Sequence, residues 1–290
     1  MAFTLVTGIG TANADALPAP QALATAASAG ASPSAQSSAA QSSTAQSPAA
    51  AGATLRVPGG RTAATASPLY RTGTLPQMSC GAGQIRAGSA ASYRYFMTRI
   101  TRCLNLSWKT QFKKAKLPFA QPKLRFVTTR VGSPCGPWPK GAGGYYCSSN
   151  RMIYIGVFRD VLKNPYAPNH AQFMAHEYGH HVQQLMGVMN YYGQSIWRAG
   201  ASTKLAFSRR LELQADCLGS AFLRQVSADL PVDQEQWDSM VEWVSENGQK
   251  NWAKNDHGRG RSQAYWMERG FNSGSPSSCN TWTAPSRTVA

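Results

Sequence analysis

The chain contains the segment His176-Glu177-Tyr178-Gly179-His180, whose residue types and spacing could bind and use a metal ion. Successive residues of an α-helix turn about 100°, so His176 and His180 would stand roughly 40° apart and one turn from each other. Their imidazoles could then bind one ion. Glu177 would lie about 100° from His176, where its carboxylate can reach a water molecule on that ion but is poorly placed as a third ligand. The segment therefore predicts a zinc hydrolase with Glu177 as general base.

A hydrolytic zinc site needs a third protein ligand and an open position for water. His181 is five residues from His176 and about 140° away on the helix, so we expect it at the surface or in packing. Glu212 and Asp216 are one turn apart on a second predicted helix. We expect Glu212 to bind zinc and Asp216 to accept the outer N–H of a ligating histidine. The alternative is a solvated acidic pair that forms salt bridges with the two arginines before it.

The chain resembles the neutral zinc metallopeptidase family of bacteria over roughly residues 68–283. The resemblance rests on the segments AHEYGHHVQ (175–183), ELQADC (212–217), CG followed by YYC and IYI (135–155), and HG followed by Gln263, Trp266, Gly270 and CNT (257–281). The family implies a zincin-like fold in which His176, His180 and Glu212 bind zinc and Asp216 supports them, a gluzincin pattern. A strand beside the metal-binding helix would hold the peptide substrate, with Met152 to Ile155 as the candidate; an ordinary core strand is the alternative.

His257 is a tentative further catalytic residue. Attack on a carbonyl builds negative charge, which a nearby imidazole N–H can stabilise. A loop histidine that caps a turn is an equally good interpretation.

The six cysteines form an even set, which favours disulfides and an extracytoplasmic location. Fifteen pairings are open to six cysteines. Sequence locality and the family resemblance favour Cys80 with Cys103, Cys135 with Cys147, and Cys217 with Cys279.

The N-terminal part divides by composition. Residues 1–16 resemble the tail of a secretory signal peptide without its basic region. Residues 17–67 are rich in Ala, Ser and Pro and are predicted to be a disordered linker, because they cannot bury enough apolar surface to offset their ordering entropy. Residues 68–290 are expected to form one metallopeptidase domain. No apolar run is long enough for a transmembrane helix.

Positive charge is concentrated in one half of the chain. Residues 56–159 hold 17 of the 29 basic residues and no acidic one. Four lysines, at 109, 113, 114 and 116, interleave with Trp108 and Phe112. This pattern could bind a polyanion such as nucleic acid, anionic lipid or an acidic polymer of the cell wall. A solvated basic face with two buried aromatic rings is the alternative. No nucleic-acid motif is present.

Hydrophobic periodicity predicts an α+β fold, mainly helical with a small sheet. The predicted helices are Asn169 (as N-cap) to Gly187, 90–114, 203–226, 232–251 and 263–271, and the predicted strands are 123–131 and 151–156.

Together these features predict a secreted zinc metallopeptidase that cuts peptide bonds without a covalent intermediate. Two other functions are open: a non-catalytic polyanion- or envelope-binding protein with a structural zinc, and a zinc amidase acting on cell-wall peptides. A structural site would usually be closed by four protein ligands and would gain nothing from Glu177.

Overall fold

The computed structural model describes residues 56–230 and 233–290 and is mainly helical with one small sheet, as predicted. Its α-helices are α1 (Gly60–Thr65), α2 (Ala90–Lys114), α3 (Arg159–Leu162), α4 (Ala167–Met186), α5 (Val188–Ile196), α6 (Ala201–Val226), α7 (Gln234–Asn247) and α8 (Gly260–Ser273). The strands are β1 (Lys123–Val127), β2 (Gly144–Cys147) and β3 (Met152–Gly156). Short 3₁₀ helices cover Pro68–Arg71, Gly248–Asn251, Pro276–Cys279 and Ser286–Thr288.

The signal-like residues 1–16 and most of the predicted linker lie outside the described residues. The end of the predicted linker is among the described residues. It contains α1, whose Ala63 and Ala64 are buried, although this range was predicted to be disordered. The folded part therefore begins before residue 68.

The longer helices agree with the sequence patterns. The prediction for α2 is confirmed at both ends, and α6 and α8 are each a few residues longer than predicted. The helix predicted from 232 to 251 is α7 followed by a 3₁₀ turn, and position 232 itself is outside the described residues. The short helices α1, α3 and α5 were not predicted.

The sheet corrects one prediction about substrate binding. Its strand order is β1-β3-β2, with β1 parallel and β2 antiparallel to β3. Both sides of β3 are therefore paired, so Met152 to Ile155 cannot bind a peptide by edge pairing. The edge strand nearest the predicted metal-binding helix is β2, a four-residue strand that the sequence analysis missed.

Helix α4 is the central element of the fold. Its side chains are buried on nearly every face, and its C-cap Gly187 has the left-handed conformation (φ 83°) expected of a helix stop. The predicted N-cap was wrong: the helix begins two residues before Asn169, because Pro168 occupies the first turn, where a missing N–H costs nothing.

Helices α4 and α6 cross at very short range. A Cβ atom on Gly179 of α4 would lie 3.0 Å from both Cα and O of Ala215 on α6. A Cβ on Gly219 of α6 would lie 3.0 Å from the backbone N of His176. The two backbones therefore approach so closely that neither Gly179 nor Gly219 has room for a side chain.

Helix α2 and the two residues after it contain the basic segment 108–116, in which the aromatic rings and the lysines differ in burial. Trp108 and Phe112 are buried in the core, so they cannot stack on a ligand, while the four neighbouring lysines are exposed. The two rings are therefore core residues, as the second interpretation predicts, and binding of an anionic surface through the exposed lysines stays a prediction. No helix in the described ranges is long and apolar enough to cross a bilayer.

All three predicted disulfides are present: Cys80–Cys103, Cys135–Cys147 and Cys217–Cys279. The third joins α6 to the C-terminal segment. Disulfides persist in oxidising compartments, so their number points to an extracytoplasmic location.

Candidate metal centre

Three buried side chains from α4 and α6 converge on one point. The Nε2 atoms of His176 and His180 are 3.1 Å apart, and Oε2 of Glu212 lies 3.1 Å from His180 Nε2 and 3.6 Å from His176 Nε2. A tetrahedral ion with bonds of about 2.0–2.1 Å would hold its ligand atoms roughly 3.3–3.4 Å apart. Among the described residues, these three form the group that could hold a metal ion.

The donor set fits zinc. Two imidazole nitrogens and one carboxylate oxygen are the ligands of a catalytic zinc site that keeps a fourth position open. Among the described residues, the buried Oε2 of Glu212 faces the two imidazole nitrogens but makes no hydrogen bond of good geometry, which would be costly without a cation between them.

Each histidine is oriented by a second side chain. Oδ1 of Asp216 lies 2.6 Å from His176 Nδ1, so the carboxylate accepts that N–H and directs Nε2 towards the centre. Oε1 of Gln183 lies 2.9 Å from His180 Nδ1 and does the same for the second imidazole. The sequence analysis anticipated the position of Asp216 but missed Gln183.

Gln183 is itself held in one orientation. Its Nε2 donates to the backbone O of Leu211 and to Oε1 of Gln214, at 2.7 and 3.0 Å, which leaves Oε1 as the atom facing His180. Gln214 is fixed in turn by Trp282, whose Nε1 donates to Gln214 Oε1 at 3.0 Å. The position of Gln183, three residues after His180 on the same helix, was the available sequence signal.

Glu177 is buried beside the metal centre and is anchored by one oxygen. The backbone N–H of Tyr146 on β2 donates to Glu177 Oε2 at 2.8 Å, while Oε1 has no hydrogen-bond partner. Burial raises the pKa of Glu177 to about 7, and the nearby imidazoles of His176 and His180 oppose that rise. A carboxyl group with such a pKa can both accept and release a proton near neutral pH.

The ligand charges stabilise each other. Burial alone would lower the pKa of His176, but Asp216, Glu212 and Glu177 outweigh it and raise this pKa to about 10. Burial alone would raise the pKa of Glu212, but the imidazoles of His180 and His257 hold it well below its usual range. This shift favours the anionic form of Glu212, which is the form that could bind a metal ion.

His181 does not take part in the centre. Its Nε2 donates to the backbone O of Ala120 at 2.7 Å, and its Nδ1 accepts from the hydroxyl of Tyr146 at 3.1 Å. Burial lowers its pKa to about 4, so this imidazole is neutral. It is a packing residue that ties α4 to β2 and to the chain before β1, which matches the sequence-based expectation of packing or surface.

His257 reaches the centre from a different part of the chain. Its Nε2 lies 3.9 Å from Glu212 Oε2 and has no hydrogen-bond partner, although the side chain is buried. Nδ1 lies 2.6 Å from Oδ1 of Asp256, and the ring of Trp252 is stacked on the imidazole with centroids 3.6 Å apart and planes 4° from parallel. Neither Asp256 nor Trp252 was singled out from the sequence.

Comparison with known proteins agrees with this geometry. The model of a family described as "Putative neutral zinc metallopeptidase" matches residues 66–282, about three quarters of the chain. The uncharacterized protein YpfJ of Escherichia coli (strain K12) is 28% identical over 191 residues, which are 61% of this chain and 67% of YpfJ. The uncharacterized protein Rv2575 of Mycobacterium tuberculosis (strain ATCC 25618 / H37Rv) is 27% identical over 227 residues, 69% of this chain and 75% of Rv2575. No solved structure gives a significant match.

Proposed function

Since this chain belongs to the neutral zinc metallopeptidase family, we propose that it is a secreted zinc endopeptidase in which His176, His180 and Glu212 bind the metal and Glu177 is the general base. The observation that carries the proposal is the placement of a second carboxylate, Glu177, beside the three-ligand group with one oxygen anchored and the other unpartnered. A site that served only stability would not need that carboxylate.

Zinc, when bound there, would supply a Lewis acid that polarises the scissile carbonyl and makes water more acidic. Glu177 then takes a proton from the attacking water and delivers it to the leaving amine. The Tyr146 N–H fixes Oε2, so the proton is handled at Oε1. Asp216 and Gln183 hold the histidine rings in place and never contact the substrate.

His257 stabilises the negative charge that develops on the carbonyl oxygen. Its Nε2 faces the same space as Glu212 Oε2, and Asp256 Oδ1 lies 2.6 Å from its Nδ1, so the ring is oriented to direct a hydrogen bond from Nε2 to the developing oxyanion. Trp252 and Asp256 act as positioning residues, since they fix the plane and rotation of the ring.

The substrate peptide pairs with the outer edge of β2. Where β2 pairs with β3, the Gly156 N–H donates to the Gly143 O. Hydrogen bonding to the partner strand alternates along an antiparallel strand, so Gly144 and Tyr146 direct their backbone N–H and C=O groups away from β3. Tyr146 N–H already holds Glu177, which puts this edge next to the base. The carbonyls of Gly144 and Tyr146 and the N–H of Gly144 can bind an extended peptide.

The three disulfides support secretion. We also propose that residues 1–16 belong to an export signal. The linker would then connect the signal to the folded domain.

Replacing the base tests the mechanism. Glu177→Gln keeps an oxygen for the Tyr146 N–H, so we expect a folded protein with unchanged zinc content and peptidase activity lower by at least about 10³-fold. The matched control is Glu242→Gln, at an exposed position of α7. Activity is measured on casein peptides with and without chelator, and zinc by elemental analysis. Retained hydrolysis in zinc-loaded Glu177→Gln would refute the proposal.

The substrate separates the two remaining functions. Cleavage of cell-wall peptides but not of casein would make the chain an amidase with the same chemistry. Zinc binding without any chelator-sensitive hydrolysis would leave a non-catalytic protein.

A further inference from the structure

Helix α2 carries an outer stripe in which cations and exposed apolar side chains alternate. The α2 stripe consists of Tyr95, Arg102, Leu106, Lys109 and Lys113. At 100° per residue these five positions lie within about 60° of one another and extend over roughly 27 Å of helix. All five are exposed, while the opposite face of α2 is packed in the core.

The apolar members of the stripe are unusual for this molecule. Leu106 is 60% exposed and Tyr95 is 58% exposed, and they are two of the four large hydrophobic residues exposed among the described residues. Along α2, Leu106 lies one helical turn after Arg102, and Tyr95 lies two turns before it. Single exposed apolar residues need no explanation, but two that share one face with three cations form an interfacial pattern.

Within the described residues, no cation of the α2 stripe forms an ion pair with an acidic group. Residues 56–159, which include α2 and the strand β1 beside it, contain no Asp or Glu. Lys109 and Lys113 form none of the ion pairs found in the described part of the chain. The complement of the stripe is therefore an anionic surface.

We propose that the α2 stripe binds the anionic surface of a lipid bilayer, with the cations on the headgroups and Leu106 and Tyr95 inserted between them. Leu106 decides against a nucleic acid, because an aliphatic side chain gains free energy among acyl chains but has no partner on a phosphate backbone. The phenol ring of Tyr95 suits the boundary between headgroups and hydrocarbon.

The position of the stripe is compatible with catalysis. Helix α2 packs on the side of α4 where the Tyr178 hydroxyl donates to Asn105 Oδ1 at 2.7 Å. Tyr178 is about 200° from His176 on α4, so the stripe and the metal centre are on opposite sides of that helix. A chain lying on a membrane through α2 keeps its metal centre facing away from it.

Vesicle flotation tests the proposal without using the activity. The full chain should float with vesicles of phosphatidylcholine mixed with phosphatidylglycerol and stay behind with phosphatidylcholine alone. Lys109→Gln/Lys113→Gln should lower the partition coefficient roughly 25-fold, about fivefold for each cation. Leu106→Gln should lower it about tenfold without any change of charge.

The matched control is Lys123→Gln/Lys140→Gln, which removes two exposed cations of the same basic half outside the stripe. An equal loss in the control would overturn the proposal, since net charge alone would then explain binding. Failure to float with phosphatidylglycerol would overturn it as well. So would retention on immobilised double-stranded DNA that matches vesicle binding and is unchanged by Leu106→Gln. None of these readouts depends on zinc or on hydrolysis.

Discussion

The three proposed zinc ligands and His257 lie in two parts of the molecule that hold their side chains by different means. The ligands stand on the crossing of α4 and α6, where both backbones are buried and in contact at Gly179 and Gly219. His257 stands between helical segments, in residues 252–259, and is held by one carboxylate and one stacked ring. The crossing fixes ligand positions through backbone packing, whereas the segment fixes one ring through side chains alone.

This difference separates two properties of the proposed enzyme, its zinc affinity and its rate of hydrolysis. Zinc affinity should depend on the helix crossing and be insensitive to the 252–259 segment. The rate of the chemical step should depend on both. Variants in each part can therefore test whether the two are independent.

The largest effect is expected from the ligand on α6. Glu212→Ala should weaken zinc binding by at least about 200-fold, because a zinc site binds with roughly 10–16 kcal/mol shared among its ligands. The variant leaves the two imidazoles without their anionic partner, so we expect some loss of stability in a protein that still folds around the packed α4–α6 crossing. Zinc is measured by competition with a chelator, and folding by circular dichroism.

Glu242→Ala on the exposed face of α7 is the control and should bind zinc normally. A folded Glu212→Ala protein with undiminished zinc affinity would contradict the assignment of the third ligand.

A smaller effect is expected at His257. His257→Ala should lower kcat about a hundredfold, the usual cost of one lost donor to a developing oxyanion, and leave zinc affinity and KM nearly unchanged. Both constants come from hydrolysis of one peptide substrate at several concentrations, with zinc content checked in parallel.

Trp252 sharpens this test because it acts only through the imidazole. Trp252→Leu loses the stacked ring and should lower kcat, while Trp252→Phe retains an aromatic face and should recover most of the rate. If His257→Ala instead lowered the zinc content, the two parts of the site would not be independent.

The difference between the helix crossing and the 252–259 segment also explains which site residues could be predicted from the sequence. His176, Glu177 and His180 lie on one helix, whose geometry fixes their mutual positions before any packing is known. The placement of Glu212 opposite them depends on how α6 crosses α4, so from sequence it rested on ligand count and family resemblance. Gln183 and Trp252 were missed because neither side chain titrates: Gln183 ends the segment AHEYGHHVQ without a role of its own, and Trp252 belongs to no motif. Both nevertheless orient an imidazole.

The sheet shows a second limit of the sequence. Strand β3 was recognised from its apolar residues, yet whether a strand is central or at an edge depends on its partners and not on its own composition. Strand β2 has only the four residues Gly144–Cys147 after a glycine-rich turn, which is too short for a period-2 pattern to be recognised. The substrate edge was therefore assigned to the wrong strand.

The smallest effect is expected from Gly179→Ala, which tests whether the close backbone contact between α4 and α6 positions Glu212. Gly179→Ala gains about 1 kcal/mol in helix propensity, but its Cβ would lie 3.0 Å from the backbone of Ala215, and overpacking of this kind costs about 1–3 kcal/mol. We expect a net loss of roughly 1 kcal/mol, which lowers Tm by about 2–4 °C. Because α6 must shift to make room, zinc affinity should fall as well.

Gly132→Ala, at an exposed site with an ordinary 3.7 Å contact to Gly136 O, is the control and should leave both stability and zinc affinity unchanged. A more stable Gly179→Ala protein with full zinc affinity would mean that the helices can separate without disturbing the ligands, and the backbone contact would then not be what positions Glu212.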